Sequence, residues 1–321
     1  MNVVIRSELL REANSLQSGG WPKTALPEHL ALGKFDRSVS MLAWGYNEEL
    51  LVGAFLDRAV QLLDRTVDDW EIVFVDDCST DGTSDILRAF AAREPRLKII
   101  RHERNKNVGL ACRTAIANAS KDYLFWQTVD WSYDIYNLRI FLELLKHFDA
   151  VQGVRPVPIR LLSYIPVLRS IYRVRGRSDS FYKAIVSLGN YYVLRILFGV
   201  HFHDFQNVTF YPRTLAQSLP LVGRTSFVNP EILLKSYYRG TRFLEVPIRF
   251  LPRTRGIPKG TRPVVVLRSI LDTARNWLAW GVQHRFRAFR PVHSRICRVS
   301  EPFPLDQRVL RLILPLFEDF R

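Results

Sequence analysis

The chain has 321 residues, which is enough to bury a full hydrophobic core, and we expect one large domain rather than two small ones. Its 46 Lys and Arg outnumber 31 Asp and Glu, and the resulting formal charge of +15 predicts an anionic partner. Charge alone does not choose among nucleic acid, an anionic membrane surface and phosphorylated substrates. Much of the excess lies in the second half, where residues 249–290 contain ten Lys or Arg and one Asp.

The cysteine and apolar patterns exclude several classes of protein. Cys78, Cys112 and Cys297 are an odd set without metal-binding spacing, so neither a disulfide framework nor a metal–thiolate site is expected. No window reaches the ~20 uninterrupted apolar residues that a membrane-spanning helix needs. The charged N-terminal residues lack the apolar stretch of a secretion signal. These features predict a cytoplasmic protein.

A loose arm, residues 1–36, precedes a regular alternation of apolar runs and helical segments. The pattern predicts strands at residues 39–43, 72–75, 97–100, 123–127 and 150–153, and helices at residues 48–63, 83–92, 108–119 and 138–147. Such an alternation is typical of a mostly parallel sheet that is covered by helices. We therefore predict an α/β fold.

Polar side chains follow two of these predicted strands. Asp76 and Asp77 come directly after the run 72–75, and Tyr46, Asn47 and Glu48 follow the first strand. Because the carboxyl ends of parallel strands meet at one edge of a sheet, these side chains predict a single nucleotide pocket. Helix capping is the alternative role for either aspartate, since an Asp before a helix satisfies exposed N–H groups.

The second half contains longer segments, and residues 159–172 and 181–197 predict further helices. Residues 264–282 predict an amphipathic helix in which Arg268, Asp272 and Arg275 lie opposite an apolar face. That face comprises Leu267, Ile270, Leu271, Ala274, Trp277 and Leu278. We expect the apolar face to dock on the domain, and a position in a membrane interface is the alternative.

Several motifs occur together in a fixed order. They are Trp44-Gly45-Tyr46-Asn47-Glu48, Val75-Asp76-Asp77 through Thr83, Asn107-Val108-Gly109, Thr128-Val129-Asp130, Gly153-Val154-Arg155 and Glu245-Val246-Pro247-Ile248. In combination they resemble glycosyltransferase family 2, whose members have a GT-A fold, a Rossmann-like mostly parallel sheet flanked by helices. The likeness extends from about Ser38 to Lys259, which suggests a glycosyltransferase domain at residues 37–260 and a basic helical extension at residues 261–321.

Within that family the pattern is most similar to the dolichol-phosphate mannose synthase-like branch, which transfers sugar from a nucleotide to a polyprenyl phosphate. That branch carries Arg-x-x-Gly-x-Ser-Lys after the late strand, and here Arg253 to Lys259 match it except for Pro258. Lys183, Ser187 and Asp204 fall in the order of its central block.

The resemblance implies roles for individual residues. Asp130, with Ser132 as a second ligand, would hold a divalent Mg or Mn ion on the donor diphosphate. The donor nucleotide would contact Tyr46, Asn47, Glu48, Asp76, Asp77 and Gly109. Catalysis would involve Asp130 together with Arg155, Arg253 and Lys259, whose positive charges would clamp the reacting phosphates. The acceptor phosphate would be bound by Lys183, Ser187, Asp204 and Arg255.

One departure from the family pattern concerns the metal. Thr128 stands where the family has the first Asp of its Asp-x-Asp motif, which leaves Asp130 as the motif's one carboxylate. Ser132 and Asp134 are the candidate replacements. A metal-independent or inactive protein is the alternative reading of this position.

The sequence therefore predicts an inverting glycosyltransferase that acts on a UDP- or GDP-sugar and a polyprenyl phosphate, peripherally bound at the cytoplasmic face of a membrane. One alternative is a transferase of the same fold with a soluble sugar or cell-surface glycan as acceptor. Another is a non-catalytic nucleotide-binding protein with a degenerate metal motif. Nucleic acid is not an expected partner, because no recognised nucleic-acid-binding motif accompanies the charge.

Overall fold

The computed structural model describes residues 33–154, 181–248, 251, 263–287 and 296–298. This part of the chain contains an eight-stranded sheet with the order β3-β2-β1-β4-β6-β5-β7-β8. The strands are β1 (Val39–Gly45), β2 (Trp70–Asp76), β3 (Leu97–Arg101), β4 (Tyr123–Trp126), β5 (Ala150–Val154), β6 (Thr209–Pro212), β7 (Phe243–Pro247) and β8 (Ile296–Arg298). All neighbours are parallel except that β6 runs antiparallel to β4 and β5. The predicted mostly parallel α/β sheet is confirmed.

Helices connect and cover these strands. They are α1 (Glu49–Thr66), α2 (Thr83–Ala91), α3 (Asn107–Asn118), α4 (Leu138–Leu144), α5 (Phe181–Phe198), α6 (Arg213–Ser218), α7 (Val228–Tyr238), α8 (Pro263–Asn276) and α9 (Val282–Arg287), with a π-helical turn at Trp277–Gly281. The helix predicted at residues 181–197 is confirmed as α5, and the one predicted at residues 159–172 lies outside the described residues. Of the helices described, none is both long and apolar enough to cross a lipid bilayer.

Much of the core lies around the neighbouring strands β1 and β2. Both are almost entirely buried, as expected for strands covered by helices on each face. On α1, the buried residues Val52, Phe55, Leu56, Ala59 and Leu63 recur every three or four positions and form the face that packs on the sheet. This packing fixes the strand ends, and with them the loops at the carboxyl edge.

The segment predicted as a separate extension shares the sheet, because β8 pairs in parallel with β7. The expected docking of α8 through its apolar face is wrong. Asp272 and Asn276 are 8% and 2% exposed, whereas Leu271 and Leu278 are 60% and 70% exposed. The physical reason is a hydrogen-bond requirement, since the Asp272 carboxylate accepts from backbone N–H groups of a neighbouring loop.

Candidate active site

The ends of β1 and β2 are joined by reciprocal hydrogen bonds between the two signature motifs. The N–H of Asn47 donates to Oγ of Ser79 (3.0 Å), and the N–H of Thr80 donates to Oδ1 of Asn47 (2.8 Å). The N–H of Glu48 donates to Oγ1 of Thr83 (2.9 Å). Most hydroxyl groups of the second motif therefore hold the loop of the first motif in place.

Asp81 and Glu49 connect the starts of α1 and α2. Oδ2 of Asp81 accepts from the N–H of Glu49 (3.2 Å), and Oε2 of Glu49 accepts from the N–H of Gly82 (3.1 Å). Burial acts to raise the pKa of Asp81, but hydrogen bonds from the hydroxyl and N–H of Thr83 and from Glu49 outweigh burial and lower it. At the start of α2, Asp81 rather than Asp76 or Asp77 accepts from the N–H of Thr83, the first residue of the helix (3.1 Å).

Asp76 is directed into the protein and is 1% exposed. Its carboxylate accepts from the N–H of Ser79 (2.9 Å) and from the hydroxyl of Ser84. Arg101 adds a longer ion pair at 3.8 Å. These contacts give Asp76 a structural role in the turn after β2. The donor contact predicted for Asp76 stays a prediction.

Asp77 is held by a histidine that the sequence analysis missed. Its Oδ1 lies 2.7 Å from Nδ1 of His102 and accepts from the N–H of Lys106 (2.8 Å). Nε2 of His102 lies 3.0 Å from Oγ1 of Thr114 on α3. Both hydrogen bonds fix Oδ1, and within the described residues Oδ2 accepts none.

A tight turn carries Asp130 at the end of β4. The N–H of Trp131 donates to the carbonyl oxygen of Thr128 (2.8 Å), and the N–H of Ser132 donates to Oγ1 of Thr128 (2.9 Å). The hydroxyl of Ser132 donates to Oδ1 of Asp130 (2.6 Å). Thr128 and Ser132 thus shape the turn and orient the Asp130 carboxylate. The metal role of Ser132 stays a prediction.

Trp131 anchors this turn to α1. Its ring is buried and lies 5.6 Å from the ring of Phe55, between centroids. The guanidinium of Arg58 lies 4.4 Å from the centroid of the Trp131 ring and 4.7 Å from that of Tyr136. These contacts tie the position of Asp130 to the same helix that covers β1 and β2.

Asp77 and Asp130 flank the end of β1 from opposite sides. The N–H of Asp77 donates to the carbonyl oxygen of Gly45 (2.9 Å). On the other side, a Cβ atom on Gly45 would lie 3.6 Å from Cγ2 of Val129, the neighbour of Asp130. The two carboxylates therefore lie at one edge of the sheet, after β2 and β4, which are the two neighbours of β1.

Unusual backbone conformations are concentrated at this edge. Asn47, Cys78, Asn107 and Trp131 are the non-glycine residues of the described chain that have positive φ, at 53°, 66°, 67° and 55°. They follow the carboxyl ends of β1, β2, β3 and β4 in that order. Strained backbone of this kind persists where surrounding contacts fix it and is frequent at ligand-binding sites.

The loop that contains Asp204 reaches the same edge because β6 runs antiparallel to its neighbours. Nε2 of Gln152 donates to the carbonyl oxygen of Asp204 (2.6 Å). The hydroxyl of Tyr133 donates to the carbonyl oxygen of Gln206 (3.2 Å). The N–H of Leu251 donates to the carbonyl oxygen of Ser132 (2.8 Å). The chain after β7 thus passes beside the Asp130 turn just before the predicted cationic motif.

Several predicted site residues cannot be placed. Arg155, Arg253, Arg255 and Lys259 lie outside the described residues. Lys183 and Ser187 belong to α5. Their predicted roles stay predictions.

Gly109 has a packing role. A Cβ atom at this position would lie 2.3 Å from the carbonyl carbon of Arg224 and 2.6 Å from the nitrogen of Thr225. Asp272 holds this same loop, accepting from the N–H groups of Arg224 (2.8 Å) and Thr225 (3.0 Å). The donor contact predicted for Gly109 stays a prediction.

The oxygen groups around Asp130 suit a hard divalent ion. Among the residues that the structure describes, no three His, Cys, Asp or Glu are grouped as a metal site. Mg²⁺ characteristically uses one or two carboxylates and takes its remaining ligands from substrate phosphates and water. A single oriented carboxylate therefore fits Mg²⁺ or Mn²⁺ that arrives with a diphosphate.

The mostly parallel sheet with acidic groups at its carboxyl edge defines an α/β protein of the GT-A type. Glucosyl-3-phosphoglycerate synthase from Mycobacterium tuberculosis, solved with Mn²⁺, UDP and glucosyl-3-phosphoglycerate, has a similar fold. The TM-score is 0.52 at 16% identity, over 81% of this chain and 85% of that chain. Its complex with Mn²⁺ and UDP-glucose gives a TM-score of 0.53 at 16% identity, over 82% and 85% of the two chains.

Residues 45–193 match the family model described as Glycosyl transferase family 2. The putative teichuronic acid biosynthesis glycosyltransferase TuaG of Bacillus subtilis (strain 168) is 32% identical over 30% of this chain and 38% of that protein. Dolichyl-phosphate beta-glucosyltransferase ALG5C of Trichomonas vaginalis (strain ATCC PRA-98 / G3) is 23% identical over 41% of this chain and 40% of that protein. The chain thus spans about two fifths of the length of these relatives.

Proposed function

We propose that the protein is an inverting glycosyltransferase that moves a sugar from a UDP- or GDP-sugar to a polyprenyl phosphate or related lipid phosphate. The observation that carries this proposal is the position of Asp77 and Asp130 on either side of Gly45, within the segment that matches the glycosyl transferase family 2 model. The similarity to a dolichyl-phosphate beta-glucosyltransferase supports the choice of a lipid phosphate.

The donor would lie across the carboxyl edge of β1, β2 and β4. Asp77 would contact the base or ribose through the oxygen that His102 leaves available, with Tyr46, Asn47 and Glu48 beside it. Asp130, oriented by Ser132, would hold Mg²⁺ or Mn²⁺. The ion would supply positive charge to the diphosphate that leaves. The UDP and Mn²⁺ in the similar synthase structures support this choice of donor and ion.

The reaction needs little proton transfer. An oxygen of the acceptor phosphate forms a bond to the anomeric carbon, and the bond from that carbon to the diphosphate breaks with its electron pair. The attacking oxygen is already ionised at neutral pH, so cations that position it replace a strong general base. Arg155, Arg253 and Lys259 are proposed to clamp the charged groups, and Lys183, Ser187, Asp204 and Arg255 to bind the acceptor phosphate.

A second candidate is transfer to a soluble sugar or a cell-surface glycan by the same fold. The similarity to a teichuronic acid biosynthesis glycosyltransferase favours it. A third, nucleotide binding without turnover, is motivated by Thr128, whose hydroxyl oxygen accepts from Ser132 where the family has a carboxylate.

The test combines binding and turnover. Thermal unfolding with UDP, GDP and their sugars, with and without Mn²⁺, identifies the donor, because a ligand that binds the folded state raises its stability. Turnover is then measured with a short-chain polyprenyl phosphate and with a soluble sugar. We expect Asp130→Ala to abolish turnover, and the matched control Asp85→Ala, which removes an exposed carboxylate on α2, to retain it.

Each outcome separates the candidates. Turnover of a soluble acceptor alone would replace the lipid phosphate with the second candidate. A thermal shift with no turnover of any acceptor would favour the third. Full turnover by Asp130→Ala would remove Asp130 from the mechanism.

A further inference from the structure

Helix α8 is docked with its polar side towards the protein. Oδ2 of Asp272 accepts from the hydroxyl of Thr225 (2.9 Å) in addition to two backbone N–H groups of the same loop. Asn276, one turn later, donates to the carbonyl oxygen of Asp272 (2.8 Å). Rolling the helix over would leave the N–H groups of Arg224 and Thr225 without this acceptor, so the hydrogen bonds favour the observed orientation.

The π-helical turn that follows α8 fixes the orientation a second time. Nε1 of Trp277 donates to the carbonyl oxygen of Leu197 at the end of α5 (2.9 Å). A Cβ atom on Gly281 would lie 2.6 Å from Cε1 of Phe198, which shows how closely the two helices approach. The outward face of α8 is therefore determined by contacts in its C-terminal half and in the turn that follows it.

That outward face is an apolar stripe, which we name the α8 stripe. Its members recur at intervals of three and four residues, which places them on one side of a helix. They are Val264, Leu267, Ile270 and Leu271 of α8, exposed by 60%, 57%, 59% and 60%, and Leu278 of the π-helical turn, exposed by 70%. Scattered single apolar residues are normal on a protein surface, but a continuous stripe of this kind marks an interaction site.

We propose that the α8 stripe is the surface by which this protein binds an anionic lipid bilayer. Arg268 and Arg275 are exposed on the same helix, while its acidic residue, Asp272, is buried. An apolar face accompanied by cations, on a helix too polar to cross a bilayer, is the pattern of a helix that lies in a membrane interface. Residues 249–290 continue it, with ten Lys or Arg against that one Asp.

Charge also argues against a second copy of the chain as the occupant. Two copies joined through the α8 stripe would bring Arg268 and Arg275 close to their own counterparts, in molecules that each carry a formal charge of +15. An anionic bilayer attracts the same cations and accepts the apolar side chains. Membrane binding through the α8 stripe would bring the protein to the surface that contains a lipid acceptor, and this is its one link to the proposed function.

Vesicle sedimentation tests the proposal with the full chain and without donor or acceptor. Vesicles of phosphatidylcholine with phosphatidylglycerol are compared with vesicles of phosphatidylcholine alone. We expect binding to the anionic vesicles, weakened by salt, and a loss of about tenfold or more in Leu267→Ser/Leu271→Ser. Arg268→Gln/Arg275→Gln should weaken binding to the vesicles that contain phosphatidylglycerol and should leave any binding to phosphatidylcholine vesicles unchanged. Leu50→Ser, which alters an equally exposed leucine on α1 (68%), should bind like the wild type.

Every other result overturns the proposal. Failure of the wild-type chain to sediment, or equal binding by Leu267→Ser/Leu271→Ser, excludes a bilayer as the occupant. A dimer in light scattering that Leu267→Ser/Leu271→Ser dissociates would assign the stripe to a second copy. Unfolding curves show that each variant is folded. Asp130→Ala should lose turnover and still bind vesicles, so failure of this inference and failure of the proposed function are distinguishable.

Discussion

Nδ1 of His102 lies 2.7 Å from Oδ1 of Asp77, and both side chains are buried at the carboxyl edge of the sheet. A carboxylate can only accept a hydrogen bond, so Nδ1 carries the hydrogen in this pair. With the backbone N–H of Lys106 on the same oxygen, His102 fixes the direction in which Asp77 presents its second oxygen. His102 is thus a positioning residue for a predicted donor contact.

We predict that His102→Phe raises KM for the donor by about tenfold to a hundredfold, because a hydrogen bond to a charged group contributes about 1.5–3 kcal/mol. The value of kcat should change much less, since Asp130 and the cations are untouched. His102→Asn retains an N–H near the position of Nδ1 and should recover part of the affinity. Initial rates at varied donor concentration measure both constants. A fall in kcat at unchanged KM would contradict a positioning role.

The strand ends could be read from the sequence because the pattern there is local. An apolar run followed by Asp76 and Asp77 identifies the end of β2 without any knowledge of its neighbours. The same rule, applied to the third strand, would have found His102, which directly follows β3. It was missed because one histidine has no motif of its own; its role depends on contacts with Asp77 and Thr114.

Other features depend on partners that are distant in the chain. β6 is four residues long and pairs with β4 and β5 across large sequence separations, so no local periodicity identifies it. The pattern of α8 predicted its two faces, but the expectation that the apolar face docks was wrong. That choice was decided by Asp272 and a loop 47 and 48 residues earlier. Hydrophobicity alone gave the wrong orientation.

The lowered pKa of Asp81 makes the free energy of unfolding depend on pH in acid solution. Its folded-state pKa is lowered below 3.8, so its contribution to the free energy of unfolding is complete above that value and is lost as the pH falls through the folded pKa. Asp81→Asn should lower the free energy of unfolding at neutral pH by about 1 kcal/mol, because the amide keeps one acceptor oxygen and loses the other, which accepts from the N–H of Glu49 in the wild type. The difference from wild type should shrink at pH values below 3.8.

Urea unfolding at several pH values measures this difference, with Asp85→Asn as control. Asp85 lies on the same helix, and its side chain is 75% exposed. The control should stay close to wild type throughout. If the difference in the free energy of unfolding between wild type and Asp81→Asn grew as the pH fell, the prediction would be wrong.

The cysteines provide a reporter beside Asp77. Cys78 is half-buried at a positive φ of 66°, with its thiol 3.4 Å from the carbonyl oxygen of Glu103. Cys112 is fully buried, and burial, with a smaller contribution from Glu231, raises the pKa of its thiol well above the usual value. In a Cys297→Ser background, a thiol reagent should modify one cysteine in the folded protein and two after denaturation.

The same experiment reports the donor site. If a nucleotide lies against Asp77, the donor nucleotide identified by thermal unfolding should slow modification of Cys78, and Asp77→Ala should remove the protection. Mass spectrometry of the modified peptide identifies the cysteine. Modification of Cys112 before Cys78 would contradict the burial that the structure assigns to these two thiols.

Gly109 and Gly53 form a matched pair that tests the packing of α3. At Gly109 a methyl group would meet the backbone of Arg224 and Thr225 at 2.3 Å and 2.6 Å, where nothing flexible can move aside. At Gly53, inside α1, the nearest atom to a Cβ is Cγ2 of Ile86 at 3.8 Å, an ordinary contact. Gly53→Ala should therefore raise the free energy of unfolding by about 0.5–1 kcal/mol, the usual advantage of Ala in a helix.

Gly109→Ala should lower the free energy of unfolding by about 1–3 kcal/mol, because the loop must move or α3 must shift. Denaturant unfolding of both variants measures the difference in sign. The loop at 224–225 is held by Asp272, so part of the strain should appear as a weaker attachment of α8, measurable as faster hydrogen exchange in that helix than in α1. Equal effects of the two alanine substitutions would show that α3 and the loop are not in the close contact described.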